Sequence, residues 1–278
     1  MQQALPGGNQ VIFNRNMKKY ITLFHINWQN SLQYRFSLIV YIFGYSLYIG
    51  VLLYLWSAIY SEGQSVGNYT LSELTTYYLL QLMINSVIFS YVSWDVIENI
   101  KDGYFSNFLI KPIDYYFYWF TVNLSGKILE GLFIIIAVGI ISIFFRGHLT
   151  FPGTSAALIY FLISVILGIV LSFEMDFCVG MITFWLTQVR TFKFMLQTII
   201  LFFAGAMLPL DLFPDFLIRI SDFLPFRYLV YFPVSIYLGK INNPWPSFAI
   251  LIVWILVFYG ISRVLLLRGI KRYEAVGI

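Results

Sequence analysis

Charge is scarce in this sequence. Asp, Glu, Lys and Arg together make up 11% of its 278 residues, where a soluble globular chain carries about 25%. Cysteine is nearly missing: Cys178 stands alone, which excludes a disulfide scaffold and a cysteine-based zinc site. His25 and His148 are the two histidines; they are expected on opposite sides of a membrane, so no metal site is expected. A phosphate loop is also lacking. Gly126-Lys127 and Gly239-Lys240 have no earlier glycine at the required spacing, and each is followed by Ile. Neither a G-x-S-x-G nor an H-E-x-x-H pattern occurs. The net charge is +4 and the basic residues are scattered, which argues against a nucleic-acid binder.

What the sequence does contain is apolar surface. Hydrophobic residues make up 60% and aromatic residues 20%, including 28 Phe and 21 Tyr. A compact domain of this length cannot bury all of that away from water, so lipid is the expected solvent. Crossing a hydrocarbon core of about 30 Å takes about 20 mostly apolar residues in a helix. Six stretches qualify, at about 36–59, 75–94, 115–145, 155–185, 192–210 and 247–267. The expected fold class is therefore an all-α integral membrane protein with six transmembrane helices. Residues 17–278 form one domain. The polar stretch 1–16 has no place in that fold, and no cleavable signal peptide is legible.

Six crossings put both termini on one side, with the loops after the second and fourth spans. That side gathers Arg15, Lys18, Lys19, Arg35, Lys101, Lys111, Arg190, Lys193, Arg263, Arg268, Lys271 and Arg272. The other holds Arg146, Arg219, Arg227 and Lys240. By the positive-inside rule the termini are expected in the cytoplasm.

Three segments outside the spans carry pattern. Between 17 and 34, Ile21, Phe24, Trp28 and Leu32 recur at helical spacing opposite Lys19, Gln29 and Gln33, which suits an amphipathic helix in the membrane interface. After the second span, Asp95, Glu98, Lys101 and Asp102 share much of one helical face while Val96, Ile97 and Ile100 lie on another. Gly103 can end that helix, and Pro112 fixes the chain before the third span. After the fifth span, Pro209, Pro214, Pro225 and Pro233 cut an aromatic stretch into pieces too short to cross. A helical hairpin dipping into the outer leaflet is expected there, its backbone satisfied by protein or water.

This layout, with two local patterns, resembles the permease subunit of type-2 ATP-binding-cassette exporters. One pattern is Ile100-Lys-Asp-Gly-Tyr-Phe-Ser-Asn-Phe-Leu-Ile-Lys-Pro112. The other is Phe203-Ala-Gly-Ala-Met-Leu-Pro-Leu-Asp-Leu-Phe-Pro214 with Leu224-Pro-Phe226. The resemblance implies that the segment from Asp95 to Asn107 is a coupling helix docking on a separate ATPase subunit. Asp95, Glu98, Lys101, Asp102, Gly103, Phe105 and Asn107 would be its contact residues. It further implies a second permease subunit, identical or different, lipids as neighbours, and ATP with Mg held by the partner rather than this chain. A secondary transporter or channel is the alternative, although no internal repeat supports one.

Charges inside spans face the bundle interior or water. Lys127 and Glu130, three residues apart, can neutralise one another. Glu174 and Asp176, two apart, must point in different directions. All four are candidates for lining a pathway or for holding the bundle together.

Overall fold

The computed structural model describes residues 8–33, 35–61, 67–144 and 146–273. Within them every regular element is a helix. The long helices are α1 (Gly8–Gln33), α2 (Arg35–Ser61), α3 (Leu71–Ile88), α6 (Tyr115–Phe144), α7 (Ser155–Met181), α8 (Val189–Phe203) and α11 (Trp245–Arg272). Shorter ones lie between them: α4 (Val92–Lys101), α5 (Ser106–Leu109), α9 (Asp215–Phe223) and α10 (Tyr231–Tyr237). Local signals set the ends. Thr70 and Glu73 form a capping box at the start of α3, and the Thr154 hydroxyl accepts from the Ala157 N–H at the start of α7.

Among the described residues, four helical runs are long and apolar enough to cross a membrane: Leu71–Lys101, Tyr115–Ile143, Ser155–Phe184 and Trp245–Arg272. α2 adds a shorter apolar run, Ser46–Tyr60. α3 is enclosed by α2, α6 and α7, and its Leu74, Tyr77, Tyr78, Ile84 and Ile88 are fully or nearly fully buried. α6 and α11 instead present Ile135, Ile136, Ile143, Leu256 and Leu267 outward. A large exposed apolar surface on long, nearly uncharged helices fits lipid contact, and the chain is an all-helical integral membrane protein.

Two ends of the bundle can be told apart by what meets there. At the first, Lys19 Nζ donates to the Pro112 carbonyl at 3.3 Å, Tyr273 Oη to the Gly103 carbonyl at 3.0 Å, and Arg190 pairs with Glu98 at 2.8 Å. At the second, Tyr69 Oη donates to Asp211 at 2.6 Å, Lys240 Nζ to the Asn68 carbonyl at 3.0 Å, and the Thr150 N–H to Thr76 Oγ1 at 2.8 Å. We call these the loop end and the hairpin end. The segments α3–α4, α6, α7, α8 and α11 run alternately between them, and α2 leads into the hairpin end. α1 lies beside the first half of α6, with Tyr20 edge-on to Phe117 and Phe24 lining the same cleft as Leu124.

Several boundaries differ from those read in the sequence. The second span, expected unbroken over 75–94, is interrupted at 89–91, and the helix expected from Asp95 begins at Val92 and stops at Lys101. It ends there because Gly103 takes φ +79°, a left-handed conformation that favours glycine. The fifth span, expected over 192–210, ends at Phe203, where Gly205 turns the chain with φ +78°. α8 has 15 residues, about 22 Å at 1.5 Å per residue. Residues 8–16 belong to α1, whereas 1–7 lie outside the described residues.

Small residues let the buried helices approach. A Cβ on Gly168 would sit 2.9 Å from Ile88 Cδ1, and one on Gly180 would sit 2.7 Å from Val96 Cγ1. In lipid, where burial of apolar surface drives little association, such close packing carries much of the attraction.

Candidate functional site

The loop end gathers the residues singled out between the second and third spans. Asp95, Glu98, Lys101, Asp102 and Asn107 are exposed. Glu98 pairs with Arg190, and Lys101 Nζ donates to the Thr187 carbonyl, so this face is tied to the connection between α7 and α8. Phe105 does not reach the surface. It is 1% exposed, with its ring 4.8 Å from Tyr115, 4.9 Å from Tyr273 and 5.2 Å from Phe184. Buried there, it anchors the loop from beneath. Around that anchor the chain presents Tyr104, Leu109 and Ile110, the last 82% exposed, none of which was singled out in the sequence.

The charges inside the spans have partners from several helices. Lys127 Nζ lies 2.7 Å from Glu130 and donates to the Ser86 carbonyl at 2.9 Å. Glu174 is 1% exposed and accepts hydrogen bonds from Tyr116 Oη of α6 and Ser262 Oγ of α11, the latter at 3.0 Å. Asp176 points the other way. It accepts from the Ser93 N–H and Ser93 Oγ, each at 2.8 Å, and lies 3.0 Å from Lys193 Nζ. Lys193, counted in the sequence with the basic residues of the positive side, is 4% exposed and held between Asp176, Ser93 Oγ and the Trp94 ring. Partner and depth both come from the fold. A hint existed in the sequence, since Ser90 and Ser93 flank Tyr91 inside an otherwise apolar stretch.

These contacts stitch the break between α3 and α4. In an unbroken helix the Ser90 N–H would bond the Ser86 carbonyl four residues back. Here it donates to Ser172 Oγ of α7 at 2.8 Å, while Lys127 of α6 occupies the Ser86 carbonyl. α4 has no side-chain cap of its own; Asp176 of α7 supplies one. A cation thus sits at the C-terminus of α3 and a carboxylate at the N-terminus of α4, the signs each helix dipole favours. Glu130 and Lys193 neutralise them. Tyr91 lies at the seam, with Lys127 Nζ 5.4 Å and Lys193 Nζ 5.6 Å from its ring centre.

At the hairpin end, Pro209 precedes a single turn, Leu210–Leu212; Pro214 precedes α9; and Pro225 and Phe226 open a turn, Pro225–Tyr228, that leads into α10. Backbone freed by these breaks finds partners. Tyr77 Oη donates to the Gly205 carbonyl at 2.6 Å, Tyr78 Oη to the Met207 carbonyl at 3.2 Å, and the Tyr231 N–H to the Ala204 carbonyl at 2.9 Å. Asp211 accepts from Tyr69 and Tyr231, both at 2.6 Å. Burial first, then this carboxylate, hold both phenols above their ordinary range. They act as hydrogen-bond donors there.

No group of three or more metal-ligating side chains occurs among the described residues. A helical bundle with a tethered, apolar-tipped loop at one end and a folded-back hairpin at the other is a polytopic helical membrane protein. The family model described as ABC-2 family transporter protein matches residues 20–277, and the chain belongs to that family. Comparison with curated proteins finds no match. The family is one of membrane permeases rather than of catalytic chains, so this protein is the membrane-embedded transport domain of an ABC transporter.

Proposed function

We propose that this permease is an exporter subunit worked from the cytoplasm by a separate ATPase, which grips the loop 102–112. ATP and Mg belong to that ATPase. The loop end is the cytoplasmic face, both termini lie there, and the membrane is a prokaryotic plasma membrane. A second permease subunit, the same chain or another, completes the pathway. One observation carries the reading: Tyr104, Leu109 and Ile110 project outward, 59%, 51% and 82% exposed, from a loop pinned beneath by Phe105 and fixed by Tyr273. Large apolar side chains raised on a rigid, polar-flanked support suit insertion into another protein. Asp95, Glu98, Lys101, Asp102 and Asn107 form the polar surround, and Gly103 supplies the turn.

ATP-driven closure of the ATPase pair then displaces the loop, and the helices attached to it exchange between two arrangements that ATP and cargo bind with different affinity. Affinity purification of the complex tests the reading. Leu109→Asp and Ile110→Asp are expected to lose the ATPase while leaving thermal unfolding unchanged. Retention of a stoichiometric ATPase by the double variant, or transport by the isolated chain in liposomes without ATP, would overturn the proposal; the second outcome favours a secondary transporter or channel.

A further inference from the structure

We infer that the break at Phe89–Tyr91 is a built hinge. Lys127 clamps α3 to α6, while Asp176 and Lys193 clamp α4 to α7 and α8, so α4 carries movement of the loop to α8 and leaves α3 in place. The inference deepens the proposed coupling role and rests on it for the source of the movement.

An accidental kink would leave orphan donors and acceptors at membrane depth, where water cannot satisfy them. Here three backbone groups at the break are taken by side chains of α6 and α7, and the Val92 N–H by Ser90 Oγ at 3.4 Å. The last turn of α3 gives the Ser86 carbonyl to Lys127 at 2.9 Å; the Ser90 N–H goes to Ser172 at 2.8 Å. The first turn of α4 gives the Ser93 N–H to Asp176 at 2.8 Å, and Lys193 of α8 closes the set at 3.0 Å from the same carboxylate. The attachments of the two halves therefore differ. α3 packs chiefly along α6 and α2, touching α7 where Ile88 meets Gly168, whereas α4 packs chiefly along α7, where Gly180 admits Val96 with no room for a Cβ. Glu98–Arg190 and Lys101–Thr187 tie the far end of α4 to the start of α8 as well. α4 and α8 are thus joined at both ends of α4. Between α3 and α4 the covalent link has no helical hydrogen bond from Ser90 to Ser86, and that is where rotation costs least. Asp176, Lys193 and Lys127 are positioning residues in this arrangement.

Hydrogen–deuterium exchange of the full chain, purified with its ATPase in nanodiscs, tests the hinge. Without nucleotide, Asp176→Asn and Lys193→Met are each expected to raise exchange across 92–101 by about tenfold, as loss of a charge-assisted hydrogen bond implies, with 71–85 unchanged. Lys127→Met is expected to loosen the last turn of α3 and spare 92–101. With ATP, Mg and vanadate, exchange in 92–101 and 189–203 should change together in the unaltered complex. In Lys193→Met the change in 189–203 should shrink, and in the double variant Lys193→Met with Arg190→Ala it should vanish, while ATP hydrolysis continues. Should Asp176→Asn not accumulate, Ser93→Ala keeps the charge pair, removes the hydroxyl that donates to Asp176 and accepts from Lys193, and must shift exchange in the same direction. Unchanged exchange in 92–101, loosening of both halves by every variant, or an undiminished 189–203 response in the double variant Lys193→Met with Arg190→Ala would each overturn the hinge. A complex that contains no ATPase, or shows no nucleotide response when unaltered, refutes the coupling reading instead, and the nucleotide-free comparison still decides the hinge.

Discussion

Single residues decide how closely the buried helices meet. Gly180 is the clearest case, because an added methyl would lie 2.7 Å from Val96 Cγ1 and 3.3 Å from the Ser93 backbone. The backbone contact cannot swing aside as a flexible side chain would. Gly180→Ala is therefore expected to destabilise the protein by about 1–3 kcal/mol, read as a lower thermal midpoint in detergent. Val96→Ala in the same chain should recover part of the loss, since it removes the nearer contact. Full stability in Gly180→Ala would mean that α4 does not sit against α7 as described. Gly205 shows a different use of the same residue type: its φ of +78° and the Tyr77 hydroxyl 2.9 Å from where a Cβ would stand both exclude a side chain.

Among elements, the loop from Gly103 to Pro112 shows how a short segment acquires a fixed shape. α5 is four residues long and has no buried residue, so its order comes from tertiary contacts. Phe105 supplies the main one, edge-on to Tyr115, Phe184 and Tyr273. Phe105→Ala leaves a cavity under the loop and should cost about 3–5 kcal/mol. Limited proteolysis should then cut between Gly103 and Lys111 sooner than in the unaltered protein. Ile110→Ser, at a position 82% exposed, should leave the proteolysis pattern as it was. Equal resistance in the two variants would remove Phe105 as the anchor. The exposed Glu98–Arg190 pair, by contrast, is worth only about 0.2–1 kcal/mol in water; its interest lies in which elements it joins.

For the whole molecule, the two ends make opposite statements about solvent and sidedness. Loop-end segments 102–114 and 182–190 meet α1 at Lys19 and the end of α11, while 67–70, 146–154 and 204–244 meet at the hairpin end. In a Cys178→Ala background, Phe151→Cys, at a position 74% exposed, should react with a membrane-impermeant maleimide added to intact cells. Ile110→Cys should react only after the membrane is opened. The reverse pattern would invert the orientation, and with it the cytoplasmic ATPase.

Sequence alone determined the solvent and the elements. Long apolar runs with almost no charge can only be helices in lipid, because a helix satisfies its own backbone within one segment. Gly103, Pro209, Pro214 and Pro225 mark real ends, because glycine tolerates the left-handed turn that stops α4 and proline has a fixed φ and no N–H to satisfy at an element's start, whereas Pro233 lies within the first turn of α10. Tertiary structure decided where the second span breaks and what every buried charge does. Asp176 and Lys193 lie 17 residues apart in the chain, and nothing local to either names Ser93 as their common partner. Phe105 looks like any other aromatic in a loop until Tyr115, Phe184 and Tyr273 close around it. Periodicity reports which way a side chain leaves its own helix, whereas the helix it meets is set by how the bundle packs.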